Sequence, residues 1–295
     1  MIFDGGGKNA FFLTDDKKII DTAMDSALVS MCAEQDKIVE AMRYAALGGK
    51  RLRGVITLEF AKMLGASIEE ALPYALGIEC IQAYSLVHDD LPCMDNDDMR
   101  RGKPSCHIAF GESTAVLAGD GLLTHAFSAI SESKAAEKYP ERAVKAIAKL
   151  ANYAGYRGMV GGQVLDLAAA EKEVSADELA VIHSLKTAAL MKASAAMGCI
   201  AAGADEEICA LAESYAELFG LSFQMADDLL DFNGNYDECE LNSYVKIHGA
   251  DKTRADVYSC IAKAGTVLFK FNEKGLDTGA LAALLDFLIN RVEGA

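Results

Sequence analysis

The segment from His88 to Pro104, HDDLPCMDNDDMRRGKP, places the tightest constraint on this chain. It crowds five aspartates (Asp89, Asp90, Asp95, Asp97, Asp98) against Arg100, Arg101 and Lys103. The residues before it, GIECIQAYSLV, are apolar enough to form a buried helix that delivers those acids. Carboxylates this close repel one another, and Asp-Asp at the end of an apolar run gains a structural helix nothing. A hard divalent cation resolves the repulsion, because Mg2+ prefers carboxylate oxygens and keeps its remaining positions for water and phosphate. The cations just downstream suit phosphate oxygens. Taken alone, the run is also compatible with a solvated acidic turn.

A second acidic cluster weakens that bland reading. In FQMADDLLDF, Asp227 and Asp231 are four apart and share one helix face, with Asp228 to the side. Phe223, Met225, Leu229, Leu230 and Phe232 make this helix apolar nearly all round, as buried helices are. Carboxylates there are costly unless something pairs with them. Two such clusters on separate apolar helices predict one cavity with metal ions between two acidic walls.

The rest of the chain supports an all-α fold. There are only four prolines, Ala, Leu, Met, Glu and Lys are plentiful, and alternating β-branched stretches are absent. Helical pattern starts at Asp15, and a second helix runs to about Leu47. Further helices are expected from Glu69 through the first acidic run, over 113–131, from Pro140, from His183, and over 206–232. Residues 1–14, with a Gly triplet, read as a mobile leader, and 15–295 as a single domain. The net charge of −16 argues against nucleic acid and anionic membranes as partners. No apolar run is long and uncharged enough for a membrane span. The eight cysteines lack metal-ligand spacing and read as reduced, mostly buried thiols. A long enzyme-sized chain without a signal peptide is expected in the cytoplasm.

The two acidic stretches, together with GGKRLR at 48–53, GMVGGQVLDL at 158–167 and the Lys186-Thr187 pair, resemble in order the motifs of the trans-isoprenyl diphosphate (polyprenyl) synthases. The likeness is to the bacterial farnesyl and geranylgeranyl diphosphate synthases and runs from about residue 40 to 232. It implies a single-domain bundle of long helices around a central cavity, of the isoprenoid synthase type. It also implies Mg2+, with Mn2+ as an alternative, and head-to-tail condensation of an allylic diphosphate with isopentenyl diphosphate. By resemblance Asp89, Asp90, Asp95, Asp227 and Asp231 hold the metal, and Arg100 and Lys186 add positive charge at the leaving diphosphate. Gly49, Lys50, Arg53, Gln82 and Arg101 match the isopentenyl diphosphate site. Gln163, Thr187 and Gln224 line the substrate cavity, with Asp166 beside Gln163. Tyr84 and Ser85, five and four residues before Asp89, match positions that limit product length, and a ring at Tyr84 suggests a farnesyl product. LPCMDND also resembles plant geranylgeranyl synthases, so one further addition stays open. The resemblance further implies a homodimer and a tail residue, Arg291, that helps cover the site.

Two departures stand out. Gln82 replaces a histidine of the family, so it donates a hydrogen bond without carrying charge. After Phe232 the family's Gly-Lys pair is missing, and Asn242 stands where a later lysine would precede Ser243-Tyr244. Lys246 and Lys252 are the nearest replacements in sequence. Two other readings follow from these gaps: a terpene cyclase-like enzyme using only the allylic substrate, and a non-catalytic partner subunit of a heteromeric synthase. Retention of GGKRLR and Arg101 counts against the first, and retention of both acidic clusters against the second.

Overall fold

A computed structural model describes residues 8–170, 172–239 and 241–294. Its first helix, α1 (Lys8–Ala27), begins inside the stretch expected as a leader, while residues 1–7 lie outside the described ones. Residues 8–14 contain neither Gly nor Pro, so nothing stops the period expected from Asp15 from extending back through them. α2 (Asp36–Ala46) ends just before Gly48, and α3 (Leu52–Met63) starts within the basic turn. α4 (Ile68–Asp89) opens with a capping box: Ser67 Oγ accepts the Glu70 N–H, and the Glu70 carboxylate accepts the Ser67 N–H. Tyr74, Ile78, Cys80, Ile81 and Val87 bury this helix against α3 and later elements. Its C-terminal end delivers Asp89 and Asp90, where the helix dipole already disfavours negative charge.

Two strands that the composition does not predict follow. β1 (Met99–Arg100) and β2 (Lys103–Pro104) pair antiparallel, with Arg100 opposite Lys103. The two connecting residues, Arg101 and Gly102, both have positive φ, 54° and 75°, the backbone that a two-residue hairpin turn requires. Local turn geometry outweighs β propensity in so short a ladder.

Helices resume with α5 (Cys106–Phe110), α6 (Glu112–Ser131), α7 (Lys134–Lys138) and α8 (Pro140–Ala154), whose first residue is the expected proline. α9 (Met159–Ala169) and α10 (Ala176–His183) lead through a π-helical turn, Ser184–Ala188, into α11 (Ala189–Ala201). α11 is buried along its whole length and packs on α3, α8 and α4. α12 (Glu206–Asp231) lies against α11 on one side and α14 (Ala250–Glu273) on the other. α13 (Tyr244–His248) and α15 (Gly279–Glu293) complete the bundle. The core thus sits around α4, α11 and α12, and the acid-bearing helices are two of its inner members. No helix of the described residues is long and apolar enough to cross a membrane. All eight cysteines are free thiols; Cys80, Cys106 and Cys199 are buried, but Cys32 and Cys93 are exposed because they fall in loops.

Candidate active site

The basic turn divides its cations between two tasks. Arg51 adopts a left-handed backbone (φ 58°) and is only 2% exposed. It ion-pairs with Asp21 of α1 at 2.6 Å and with Glu79 of α4 at 3.2 Å, and it donates to the Ala46 carbonyl. Glu79 also accepts the Gly54 N–H at 2.8 Å. Arg51 therefore fastens the turn to the bundle. Among the described residues the Arg53 Nε is buried without a hydrogen-bond partner, and burial lowers that guanidinium's pKa to about 10, which keeps it cationic at neutral pH. Arg101, at the hairpin tip, lies against Gly49: a Cβ there would meet the Arg101 guanidinium at 3.0 Å. Burial lowers the pKa of Lys50 and of Arg101, and neighbouring arginines lower both further. Gln82 lies three residues beyond Glu79, on the same face of α4. Cations this close, with one N–H unmet, are arranged for an anion.

The first acidic run folds back on itself. The Asp95 N–H donates to the Asp89 carbonyl at 2.9 Å, which brings both residues to one end of α4. Burial pushes the Asp89 carboxyl up to about 6, with Lys186 opposing and Asp95 adding to the rise. Asp95 is raised likewise, first by burial, with Lys186 again opposing. Asp90 points inward and is 2% exposed. Arg100 grips it through Nε at 2.9 Å and bonds Asp97 at 3.1 Å. Of the three acids expected to hold metal here, Asp89 and Asp95 feel Lys186, whereas one oxygen of Asp90 is committed to Arg100. Arg100, expected beside the leaving diphosphate, is held by these two aspartates.

The second wall is Asp227 on α12, paired with Arg291 of α15. Burial raises the Asp227 carboxyl, and Arg291 and then Lys50 pull it down, while Asp231 pushes it up. Asp231 is exposed at the last residue of α12. Asp228 turns aside as expected: it accepts the Tyr244 N–H at 2.7 Å and the Gln224 amide at 3.1 Å. Gln224 in turn accepts the Thr187 hydroxyl at 3.2 Å. Lys186 stands on the π-helical turn and pairs with Asp166 of α9. That pairing depends on Gly162, where a Cβ would lie 2.2 Å from the Lys186 backbone nitrogen. Both polar atoms of the Gln163 amide are buried and unpartnered among the described residues, rather than satisfied by Asp166.

Tyr84 is 7% exposed, one turn back from Asp89, with its ring edge-on to His88 at 5.8 Å. Ser85 donates to the Gln82 carbonyl at 3.0 Å. The two lysines of the divergent segment turn elsewhere: Lys246 donates to the Tyr236 carbonyl at 2.7 Å, and Lys252 pairs with Asp256.

Phe223 is a site residue that sequence reasoning counted only as apolar flank. The Lys50 ammonium and the Arg291 guanidinium lie 5.7 and 5.0 Å from its ring centre, so its face holds two cations beside Asp227. Its signal was register: Phe223 precedes Asp227 by four residues on one helix.

Among the described residues no three acidic, histidine or cysteine side chains converge tightly enough to hold an ion unaided. Asp89 with Asp95, and Asp227 with Asp231, are instead two pairs of hard oxygen donors. Such pairs fit Mg2+, which keeps several waters and shares phosphate oxygens.

The sequence model of the family described as polyprenyl synthetase matches residues 35–258. The chain is 39% identical over 281 residues to farnesyl diphosphate synthase of Escherichia coli (strain K12), covering 91% of this chain and 94% of that protein. It is 42% identical over 225 residues to farnesyl diphosphate synthase of Bacillus subtilis (strain 168), covering 76% of each. Among solved structures, a FPP/GFPP synthase from Zymomonas mobilis superposes with a TM-score of 0.85 at 34% identity, over 95% of this chain and 98% of that one. A geranyltransferase from Legionella pneumophila superposes with a TM-score of 0.87 at 31% identity, over 97% of both chains. With the family match and the structural likeness, the chain belongs to the polyprenyl synthetase family and is an all-α prenyltransferase.

Proposed function

We propose that this prenyltransferase condenses an allylic diphosphate with isopentenyl diphosphate head-to-tail. The observation that carries this is the presence of both acidic and basic groups within one bundle. Asp89, Asp95, Asp227 and Asp231 supply hard oxygens, with Lys186 acting on the first pair and Lys50 on Asp227, while Lys50 and Arg53 are cations that both feel Arg101. Two diphosphates can draw on both kinds of group.

Bound Mg2+, held by the aspartates of both walls, supplies Lewis-acid stabilisation to the leaving diphosphate. The chain's own residues do the rest. Lys186 and the Thr187–Gln224 pair orient the allylic diphosphate against the acidic walls, and Lys186 adds charge where negative charge develops. Lys50, Arg53 and Arg101, with a hydrogen bond from Gln82, fix the second diphosphate so that its double bond faces the allylic carbon. The Gln163 amide, buried without partners, is available to the allylic group or the incoming alkene. The released diphosphate takes the final proton, so no histidine or glutamate base is required. A substrate pocket closed to solvent would keep water from the allylic cation. Tyr84 closes the floor, which favours a farnesyl product.

A cyclase would have no use for the Lys50–Arg53–Arg101 cluster, which is the specific reason to prefer condensation. We also infer a homodimer in the cytoplasm; exposed Leu117 on α6 and Val164 and Leu165 on α9 supply apolar surface for a partner copy.

The test is a product assay. Purified protein with Mg2+ and isopentenyl diphosphate is given dimethylallyl, geranyl or farnesyl diphosphate in turn, and products are read by mass spectrometry. Longer prenyl diphosphates are expected. A hydrocarbon or alcohol formed from the allylic substrate alone would show a cyclase instead.

A further inference from the structure

The segment that follows α12 is tied into the site by a residue with no charge. Asn242 Nδ2 donates to the Ala169 carbonyl at 2.7 Å and to the Lys172 carbonyl at 3.2 Å, and Oδ1 accepts the Val174 N–H at 3.2 Å. One side chain thus fastens the connection between α9 and α10, using both of its amide hydrogens and its oxygen. Two residues on, the Tyr244 N–H is held by Asp228.

From Asp228 the path returns to its starting point. Asp228 binds Gln224, Gln224 binds Thr187, and the neighbouring Lys186 pairs with Asp166. Asp166 lies on α9, one turn before Ala169, the first acceptor of Asn242. The contacts therefore close a ring through four parts of the fold: the end of α9, the segment 242–244, the last turns of α12 and the π-helical turn. The ring frames Lys186, the cation that acts on both Asp89 and Asp95.

We propose that Asn242 is a positioning residue for the allylic half of the site, closing a hydrogen-bonded ring that sets Lys186 opposite Asp89 and Asp95. The role rests on the prenyltransferase reading; the ring itself does not. Asn242 touches neither acidic wall and acts through Asp166 and Lys186. No member of the ring belongs to the Lys50–Arg53–Arg101 cluster, so its effect falls on one substrate only.

The experiment compares the full-length protein with Asn242→Ala and Asn242→Asp, each checked for folding by circular dichroism. Hydrogen exchange at the Val174 amide reads the ring directly. Calorimetric binding of geranyl thiolodiphosphate with Mg2+, and steady-state kinetics with geranyl and isopentenyl diphosphates, read the role. Asn242→Ala is expected to speed Val174 exchange roughly tenfold and to weaken both analogue affinity and the allylic KM by about the same factor. The isopentenyl KM should stay within about twofold, whereas kcat should fall along with allylic affinity, because Lys186 acts where negative charge develops. Asn242→Asp keeps the acceptor for Val174 but loses both donated bonds, so it should weaken allylic binding while Val174 stays protected. Unchanged Val174 exchange in Asn242→Ala would overturn the ring. Faster exchange with unchanged analogue affinity, or with both KM values raised alike, would overturn the positioning role. A wild type that binds the analogue but elongates nothing would instead overturn the condensation reading, and the calorimetric arm would still decide the role of Asn242.

Discussion

Arg291 on the last helix forms an ion pair with Asp227, 64 residues earlier, and stacks over Phe223 beside it. A tail cation thus neutralises the very carboxylate expected to hold metal. Replacing Arg291 by Met removes that neutralisation, so the Asp227 carboxyl, already raised by burial, rises further. The acid limb of the kcat/KM profile should move to higher pH, with the apparent affinity for Mg2+ lowered on that acid limb. A profile that does not move would show that the pair opens before catalysis.

Asp89 makes the sharpest pH prediction. Its pKa is raised to about 6 in the folded, metal-free protein, above the unfolded value near 3.9. A carboxyl with a raised folded pKa adds stability only while protonated, so that contribution is present below about pH 4 and is lost as the pH climbs through 6. Asp89→Asn should therefore raise the Tm of the metal-free protein at pH 7.5 and leave it nearly unchanged at pH 4. If Asp89 supplies a metal oxygen as proposed, the same substitution should lower kcat by roughly 100-fold or more.

Asp90 should behave differently from its neighbour. It is 2% exposed and gripped by Arg100. Asp90→Asn removes the buried one of the guanidinium's two charged acceptors, leaving only the exposed Asp97, and should cost about 1.5–3 kcal/mol of stability, measured by denaturant unfolding. A loss of Mg2+ affinity without destabilisation would instead make Asp90 chiefly a metal ligand.

Gly162→Ala places a methyl group 2.2 Å from the Lys186 backbone nitrogen. α9 must then move off the π-helical turn, at about 1–3 kcal/mol. The separation of Lys186 from Asp166 should raise the allylic KM more than the isopentenyl KM, a difference readable by steady-state kinetics.

Tyr84 is nearly buried, and its ring rests against His88. Tyr84→Ala should shift the longest product from farnesyl towards geranylgeranyl diphosphate, seen by mass spectrometry. An unchanged product would make Tyr84 simple core packing.

Much of this protein was legible before any coordinates. Apolar period and scarce proline gave the bundle, and α4 ends and α12 runs where the acidic stretches required. Pro140 opens α8 because a residue lacking an N–H fits a helix start whatever surrounds it. Local chemistry of this kind acts within a few residues, so it can be read along the chain. Which of several neighbouring like charges does what could not be read. Arg51 forms ion pairs with Asp21 and Glu79, which come from α1 and α4 to meet it, whereas no ion pair of Arg53 is found among the described residues. Asp90 turns in and Asp89 does not, because the hairpin returns Arg100 to one side of the helix end. Arg291 joins Asp227 and Phe223 only when α15 packs beside α12. The sequence by itself determined the helices and the donor chemistry they carry. Tertiary structure alone decided the partner of each charge, because a buried charge is set by whichever opposite charge packing brings to it, and that neighbour is remote in the chain.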